Sequence, residues 1–197
     1  LGPLQVGWLD PAEAAAEAAA AAAKAASNDP YKAEPARHPA LKILSETPCS
    51  AETPAQLLGD SYRTPNALFY VRNHHPVPQL DEKTFALEVS GPGMKEPLRY
   101  TLEELKARFP KVTIDATLQC GGNRRGELNS VRKTSGNAWG PGAISTASWG
   151  GVRLRDVLAH AGTATSADVE EGTVAHVQFE GDDGTTASIP VGKAVSK

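Results

Sequence analysis

The residues best suited to chemistry lie in the stretch TLQCGGNRR, from Thr117 to Arg125. Cys120 ends an alternating apolar run and is followed by two glycines, an asparagine and two arginines. Nearby cations favour the thiolate form of a cysteine, which is both a nucleophile and a soft metal ligand. From the residues alone, Cys120 is as compatible with a buried structural cysteine as with a reactive or metal-binding one.

Arginines form the second chemical feature of the sequence. Arg124 and Arg125 follow Cys120, and Arg72 in FYVRNH ends a short apolar run beside Asn73 and His74. An enclosed guanidinium group presents a fork of donors that suits oxyanions. The alternative for the Arg-Arg pair is a solvated surface patch, and for Arg72 an exposed strand end; the residues leave both alternatives open.

The composition narrows the class of protein. The 197 residues are 40% apolar and 22% charged, which is typical of a soluble globular protein. The net charge of -3 argues against a nucleic-acid binder, so an anionic ligand would need a local basic cluster. No run approaches the ~18 apolar residues of a membrane-spanning helix. The two cysteines exclude a disulfide-rich scaffold, and no P-loop, HExxH or CxxC motif is present.

The elements around Cys120 follow from periodicity. KVTIDATLQC (111–120) alternates apolar and polar residues, which predicts a half-buried strand with the cysteine at its end. Residues 121–149, rich in Gly, Asn and Ser, read as a long functional loop. TLEELKARF (101–109) has Thr101 three residues before Glu104, a capping-box signature that predicts a short helix.

Further elements are predicted on both sides of this region. LFYVR (68–72) and FALEVSG (85–91) read as strands, and residues 174–190 as a hairpin around an Asp-Gly turn. Residues 150–162 have helical spacing, with Gly162 as the C-terminal cap. Together these elements predict an α+β fold that is mixed and mostly β.

The N-terminal third has a different character. Residues 12–26 are nearly all alanine and predict a helical spacer, with a disordered low-complexity tract as the alternative. Residues 28–66 carry many prolines and predict an extended surface segment in which Cys49 is a bystander. Because the chain stops at Lys197 in structured-looking sequence, we expect a fragment of a longer protein.

Four blocks resemble the molybdopterin domain of the sulfite oxidase family: FYVRNHHPVPQLD, TLQCGGNRR, AWGPGAISTASWGGVRLRDVL and HVQFEGDDG. The resemblance implies that residues 29–197 form the first half of a molybdopterin-binding oxidoreductase domain, incomplete at the C-terminus. It implies that residues 1–28 are a linker with an Ala-rich helix, at the tail of a cytochrome b5-type haem domain. Nitrate reductase shares the Cys-x-Gly-Asn-Arg-Arg core, so nitrate reduction is an alternative.

The resemblance also assigns roles to residues. Cys120 would be the metal ligand, and Arg72, Arg125 and Trp139 would be catalytic residues of the oxyanion pocket. The cofactor-binding residues would be Phe69, Tyr70, Val71, Arg72, Asn73, His74 and Asp183.

The implied activity is oxidation of sulfite to sulfate at a Mo-molybdopterin centre. Electrons would pass through haem b of the upstream domain to cytochrome c, in a homodimer of the mitochondrial intermembrane space, with the peroxisome as the alternative compartment. Because the remaining pocket residues of the family would lie beyond Lys197, a second hypothesis is an accessory or structural subunit without cofactor, within a larger assembly.

Overall fold

The strands of the protein form four small antiparallel sheets in a computed structural model that describes residues 29–196, without the side chain of Ser166. One sheet has three strands in the order β1 (Lys42–Ser45), β2 (Ser50–Glu52) and β3 (Val71–Arg72). The others are hairpins: β4 (Ala86–Val89) with β5 (Leu98–Thr101), β6 (Val112–Gln119) with β7 (Ile144–Gly151), and β8 (His176–Glu180) with β9 (Thr186–Pro190).

Short helices connect the sheets: α1 (Ala55–Leu58), α2 (Leu102–Arg108), α3 (Arg125–Leu128), α4 (Leu154–Ala161), α5 (Ser166–Glu171) and α6 (Val191–Ala194). The predicted capping box of α2 is confirmed, because Thr101 Oγ accepts the Glu104 N–H at 3.2 Å and Glu104 accepts the Thr101 N–H at 2.9 Å. Gly162 ends α4 with φ 75°, as predicted. The prediction of a mixed α+β fold is confirmed.

Helix α4 lies between two apolar clusters. Its Val157 packs with Tyr100, Leu105 and Phe109, whereas its Leu158 packs with Ala164, Val174, Val191 and Ala194. A third cluster lies in the three-stranded sheet and contains Cys49, which is 5% exposed. Cys49 is therefore a buried core residue, and its place as a bystander to the chemistry stays a prediction.

The predicted burial of β6 is wrong. Ile114 is 58% exposed and Leu118 is 48% exposed, although both lie on the apolar side of the alternating pattern. In the part of the chain that the structure describes, β6 pairs with β7 alone. The alternating pattern correctly predicts a strand with an apolar and a polar face, but it does not show whether another element packs on the apolar face.

Two segments predicted as irregular contain regular structure. Residues 144–149, predicted as the end of a loop, and residues 150–151, predicted as the start of a helix, belong to β7, and α4 begins only at Leu154. Residues 28–66 contain β1, β2 and α1 between their prolines. Strand β1 pairs with β2 across the turn that contains Pro48, and β2 also pairs with the more distant β3; local composition does not reveal such pairing.

The segment 68–72 contains less strand than predicted. Leu68 ends a 3-10 turn that begins at Asn66, and only Val71 and Arg72 pair with β2. The predicted helix at 12–26, and with it the assignment of residues 1–28 as a linker, lies outside the described residues.

Candidate active site

Cys120 follows the last residue of β6 and begins a tight turn into α3. Its N–H donates to the Ala143 carbonyl at 3.0 Å, which joins the cysteine to the chain just before β7. Its half-buried Sγ accepts the Gly122 N–H at 3.4 Å. A side chain at Gly121 would meet open space. The thiol therefore lies at the partly open end of a strand pair.

Arg125 lies half-buried beside Trp139, with Gly122 between them. A Cβ on Gly122 would be 2.9 Å from Trp139 Cδ1 and 3.0 Å from both terminal nitrogens of Arg125. Nη1 of Arg125 donates to the Asn137 carbonyl at 3.2 Å. Among residues 29–196, no carboxylate forms an ion pair with Arg125. Its guanidinium group therefore keeps donors for an anionic ligand.

Arg124 has a different environment from its neighbour. Its side chain is 64% exposed and pairs with Glu127, with Nε–Oε2 and Nη2–Oε2 distances of 2.9 Å and 2.5 Å. The hydrogen bond between them raises the pKa of Arg124 and lowers the pKa of Glu127. The backbone of Arg124 is left-handed, with φ 64°. Of the two arginines, Arg125 is the better candidate for binding an anion.

Phe69 and Tyr70 lie next to the Cys120 turn. Their rings stack with centroids 5.4 Å apart, and the Tyr70 N–H donates to Ser145 Oγ at 3.2 Å. Burial raises the pKa of the Tyr70 phenol, and the negative charge of Cys120 raises it further. The phenol and the thiol are therefore close enough to interact electrostatically.

The rest of the FYVRNH segment continues along β3. Val71 is half-buried and pairs with Ala51 of β2. Arg72 is exposed; its guanidinium donates to the Asn73 carbonyl, and its Nη2 lies 3.3 Å from His74 Nδ1. These contacts of Arg72 stay within its own segment, so an anion would have to compete with the Asn73 carbonyl for one donor.

Asp183 lies in the turn between β8 and β9. Its two carboxylate oxygens accept the N–H and the hydroxyl of Thr185, both at 2.9 Å. These hydrogen bonds lower the pKa of Asp183, and the nearby charge of His75 lowers it further. Asp183 is thus close to the chain that follows His74, but its carboxylate is already used by its own turn.

Residues 139–142, here called the strap, cross between β2 and the Cys120 turn. Glu52, only 2% exposed, accepts the Gly140 N–H at 2.6 Å. The Thr53 N–H donates to the Gly142 carbonyl at 3.1 Å. On the other side, Asn123 Oδ1 accepts the Ala143 N–H at 3.0 Å. Sequence reasoning missed Glu52 and Asn123; the glycines of the strap were the available signal, since they mark a close approach of two backbones.

Two buried donors in this region have no partner among the described residues: Asn73 Nδ2 and Trp139 Nε1. Buried polar atoms are nearly always hydrogen-bonded, so both donors fit a ligand that carries acceptor atoms. The described residues contain no group of three His, Cys, Asp or Glu side chains that could hold a metal ion.

None of the helices between residues 29 and 196 is both long enough and apolar enough to cross a membrane.

The chain is similar in sequence to proteins of a known family. The profile of the family described as the oxidoreductase molybdopterin binding domain matches residues 74–197. Mitochondrial sulfite oxidase of Rattus norvegicus is 49% identical over 175 residues, 86% of this chain and 31% of the rat protein. Nitrate reductase [NAD(P)H] of Hordeum vulgare is 46% identical over 147 residues, 74% of this chain and 16% of the barley protein.

Among solved structures, the sulfane dehydrogenase SoxCD from Paracoccus pantotrophus superposes with a TM-score of 0.62 at 26% identity, over 78% of this chain and 37% of that chain. This chain spans less than half the length of the curated relatives that it matches. The family match includes His74, Cys120, Arg125, Trp139 and Asp183, and it begins just after the residues 69–73.

Proposed function

The chain belongs to the oxidoreductase molybdopterin-binding domain family, and we propose that it forms part of an enzyme that oxidises sulfite to sulfate at a molybdenum centre. The observation that carries the proposal is the half-buried thiol of Cys120, which accepts a backbone N–H and lies in one turn with Arg125. The similarity of the chain to rat sulfite oxidase supports sulfite as the substrate.

A Mo-molybdopterin cofactor fits the donors of the site. Cys120 would supply a thiolate, a soft ligand suited to a sulfur-rich metal centre. Asn73 Nδ2 and Trp139 Nε1, which lack partners among the described residues, would gain acceptors. When bound, the cofactor would supply oxygen-atom transfer and take up two electrons. The residues proposed to surround it are Phe69, Tyr70, Val71, Arg72, Asn73, His74 and Asp183.

The anion would be bound by arginines and enclosed by a tryptophan. Arg125 has free donors beside the buried ring of Trp139, and Arg72 would contribute a second cation from β3. Charge-assisted hydrogen bonds from guanidinium groups bind oxyanions more strongly than neutral donors do. Asp183 would contact the cofactor through the remaining lone pairs of a carboxylate that already accepts from Thr185.

The electron acceptor, the oligomeric state and the compartment belong to the same proposal. Electrons would leave through haem b of an upstream domain to cytochrome c, in a homodimer. The name of the rat relative supports a mitochondrial location, for which we propose the intermembrane space over the peroxisome. The barley relative favours a second candidate, nitrate reduction, because it is 46% identical over 147 residues of this chain.

Molybdenum analysis and turnover assays on the full-length protein test the proposal. We expect stoichiometric molybdenum and sulfite oxidation, and Cys120→Ser should abolish turnover with an unchanged circular dichroism spectrum, because the loss of one ligand is local. Cys49→Ser, which changes the other cysteine, is the matched control and should retain turnover. Nitrate turnover without sulfite oxidation would select the second candidate, and a folded protein without molybdenum would select an accessory subunit.

A further inference from the structure

Glu52 is a buried carboxylate outside the set of residues proposed to touch a ligand. Its Oε1 accepts from Lys42 Nζ at 2.7 Å, and its Oε2 accepts the Gly140 N–H at 2.6 Å. The Glu52 side chain is 3% exposed, whereas that of Lys42 is 60% exposed. A buried charge is costly unless it is paired and hydrogen-bonded. The two hydrogen bonds are therefore what allows the Glu52 carboxylate to be buried, and they tie it to Lys42 and to the strap.

The strap links Glu52 by hydrogen bonds to the backbone on both sides of Arg125. The peptide group between Trp139 and Gly140 makes two of these bonds: its N–H donates to Glu52, and its carbonyl accepts the Gly126 N–H at 2.8 Å. The Gly140 carbonyl accepts the Arg124 N–H at 2.9 Å. Hydrogen bonds in series polarise one another, so the carboxylate strengthens the contact at Gly126.

The geometry leaves little freedom between β2 and the strap. A Cβ on Gly140 would be 2.8 Å from Glu52 Oε1, and one on Gly142 would overlap the Thr53 carbonyl. Arg124 has a left-handed backbone with φ 64°, which persists in a residue with a side chain only where its surroundings enforce it. The contact from the strap to the Arg124 N–H is one of those enforcing contacts.

We propose that Glu52 is a positioning residue for Arg125. Its carboxylate holds the strap, and the strap fixes the backbone before and after Arg125, so that the guanidinium group faces the anion. The same contacts hold the turn that carries Cys120. The inference rests on the proposed function only in taking Arg125 as an anion ligand.

The two cysteines provide a test without substrate. In the full-length protein prepared without cofactor, alkylation by iodoacetamide would be followed at each cysteine by mass spectrometry. Because Glu52→Ala leaves the half-buried Gly140 N–H without its acceptor and loosens the turn, the rate at Cys120 should rise about tenfold. The rate at Cys49, buried in the sheet that contains Glu52, should stay unchanged.

Three variants sharpen this test. Glu52→Gln keeps an acceptor for the Gly140 N–H and should restore most of the wild-type rate at Cys120. Gly140→Ala keeps the carboxylate but forces the strap away from it, and should accelerate Cys120; it decides the matter if Glu52→Ala does not fold. Glu46→Ala, at an exposed position before β2, is the control and should change neither rate.

Equal acceleration at both cysteines would indicate global destabilisation and would overturn the proposal, as would an unchanged rate at Cys120. In the molybdenum-loaded enzyme, Glu52→Ala should raise the sulfite KM about tenfold, with a smaller change in kcat, through the misplaced Arg125. If no variant, including the wild type, oxidises sulfite while the thiol rates change as expected, the proposed function fails and the positioning role stands.

Discussion

Two adjacent arginines of the same type have different environments in this protein. Arg124 is exposed and its charge is paired with Glu127, whereas Arg125 is half-buried and donates to one carbonyl. The left-handed backbone of Arg124 lies at the junction between the Cys120 turn and α3, which begins at Arg125. The sequence motif predicts a basic pair beside Cys120, but only the turn decides which guanidinium group remains available.

Gly122 tests this assignment of Arg125. Because an added Cβ would lie 3.0 Å from both terminal nitrogens of Arg125 and 2.9 Å from Trp139, Gly122→Ala should displace the guanidinium group. In the full-length enzyme, the variant should raise the sulfite KM in the same direction as Arg125→Gln, by roughly tenfold for a lost charge-assisted hydrogen bond. Steady-state kinetics would measure the change.

Gly121→Ala is the matched control for that experiment. A Cβ at Gly121 meets open space, so the KM of this variant should stay within a factor of two or so of the wild-type value if no packing is disturbed. Equal KM values for Gly121→Ala and Gly122→Ala would remove Arg125 from the anion site.

At the scale of elements, local signals predicted structure better than distant ones. The capping box at Thr101 and the glycine cap at Gly162 depend on residues within one turn, and both are confirmed. The Gly- and Ser-containing sequence of β7 does not predict a strand, because it becomes one only through its pairing with β6. The same reason applies to β1 and β2, whose partners lie across proline-containing segments.

The capping box of α5 predicts a dependence of stability on pH. Asp168 accepts the Thr165 N–H at 2.6 Å, its hydroxyl at 2.8 Å and the Thr173 hydroxyl at 3.0 Å, and these bonds lower the pKa of Asp168. A depressed folded-state pKa gives stability above the unfolded-state value that is lost as the pH falls through the folded-state value.

Thermal unfolding of the wild type and of Asp168→Asn would check this sign. The wild type should be the more stable at pH 6, and the difference should shrink as the pH falls below about 4, the ordinary value for aspartate. Asp182→Asn, which changes an exposed carboxylate between β8 and β9, is the control. A difference that grows on acidification would contradict the assigned role of Asp168.

At the scale of the whole molecule, the site depends on contacts between distant parts of the chain. Sequence motifs and their resemblance to a family predicted Cys120, Arg125 and Trp139 as site residues, and the turn and strap bring these three together. Glu52 meets Gly140 across 88 residues. A single glutamate in a proline-rich segment has no periodicity or motif, so only the folded chain identifies it.

Burial by distant parts of the chain also determines which apolar residues stabilise the fold. Leu158 of α4 is 5% exposed and packs against α6, whereas Leu118 on β6 is 48% exposed. In the 197-residue chain, Leu158→Ala should lower the free energy of unfolding by about 2–5 kcal/mol through the cavity that it leaves. Leu118→Ala makes the same chemical change and should cost only about 0.5 kcal/mol. Chemical denaturation would measure both; a comparable loss at Leu118 would show that the apolar face of β6 is covered in solution.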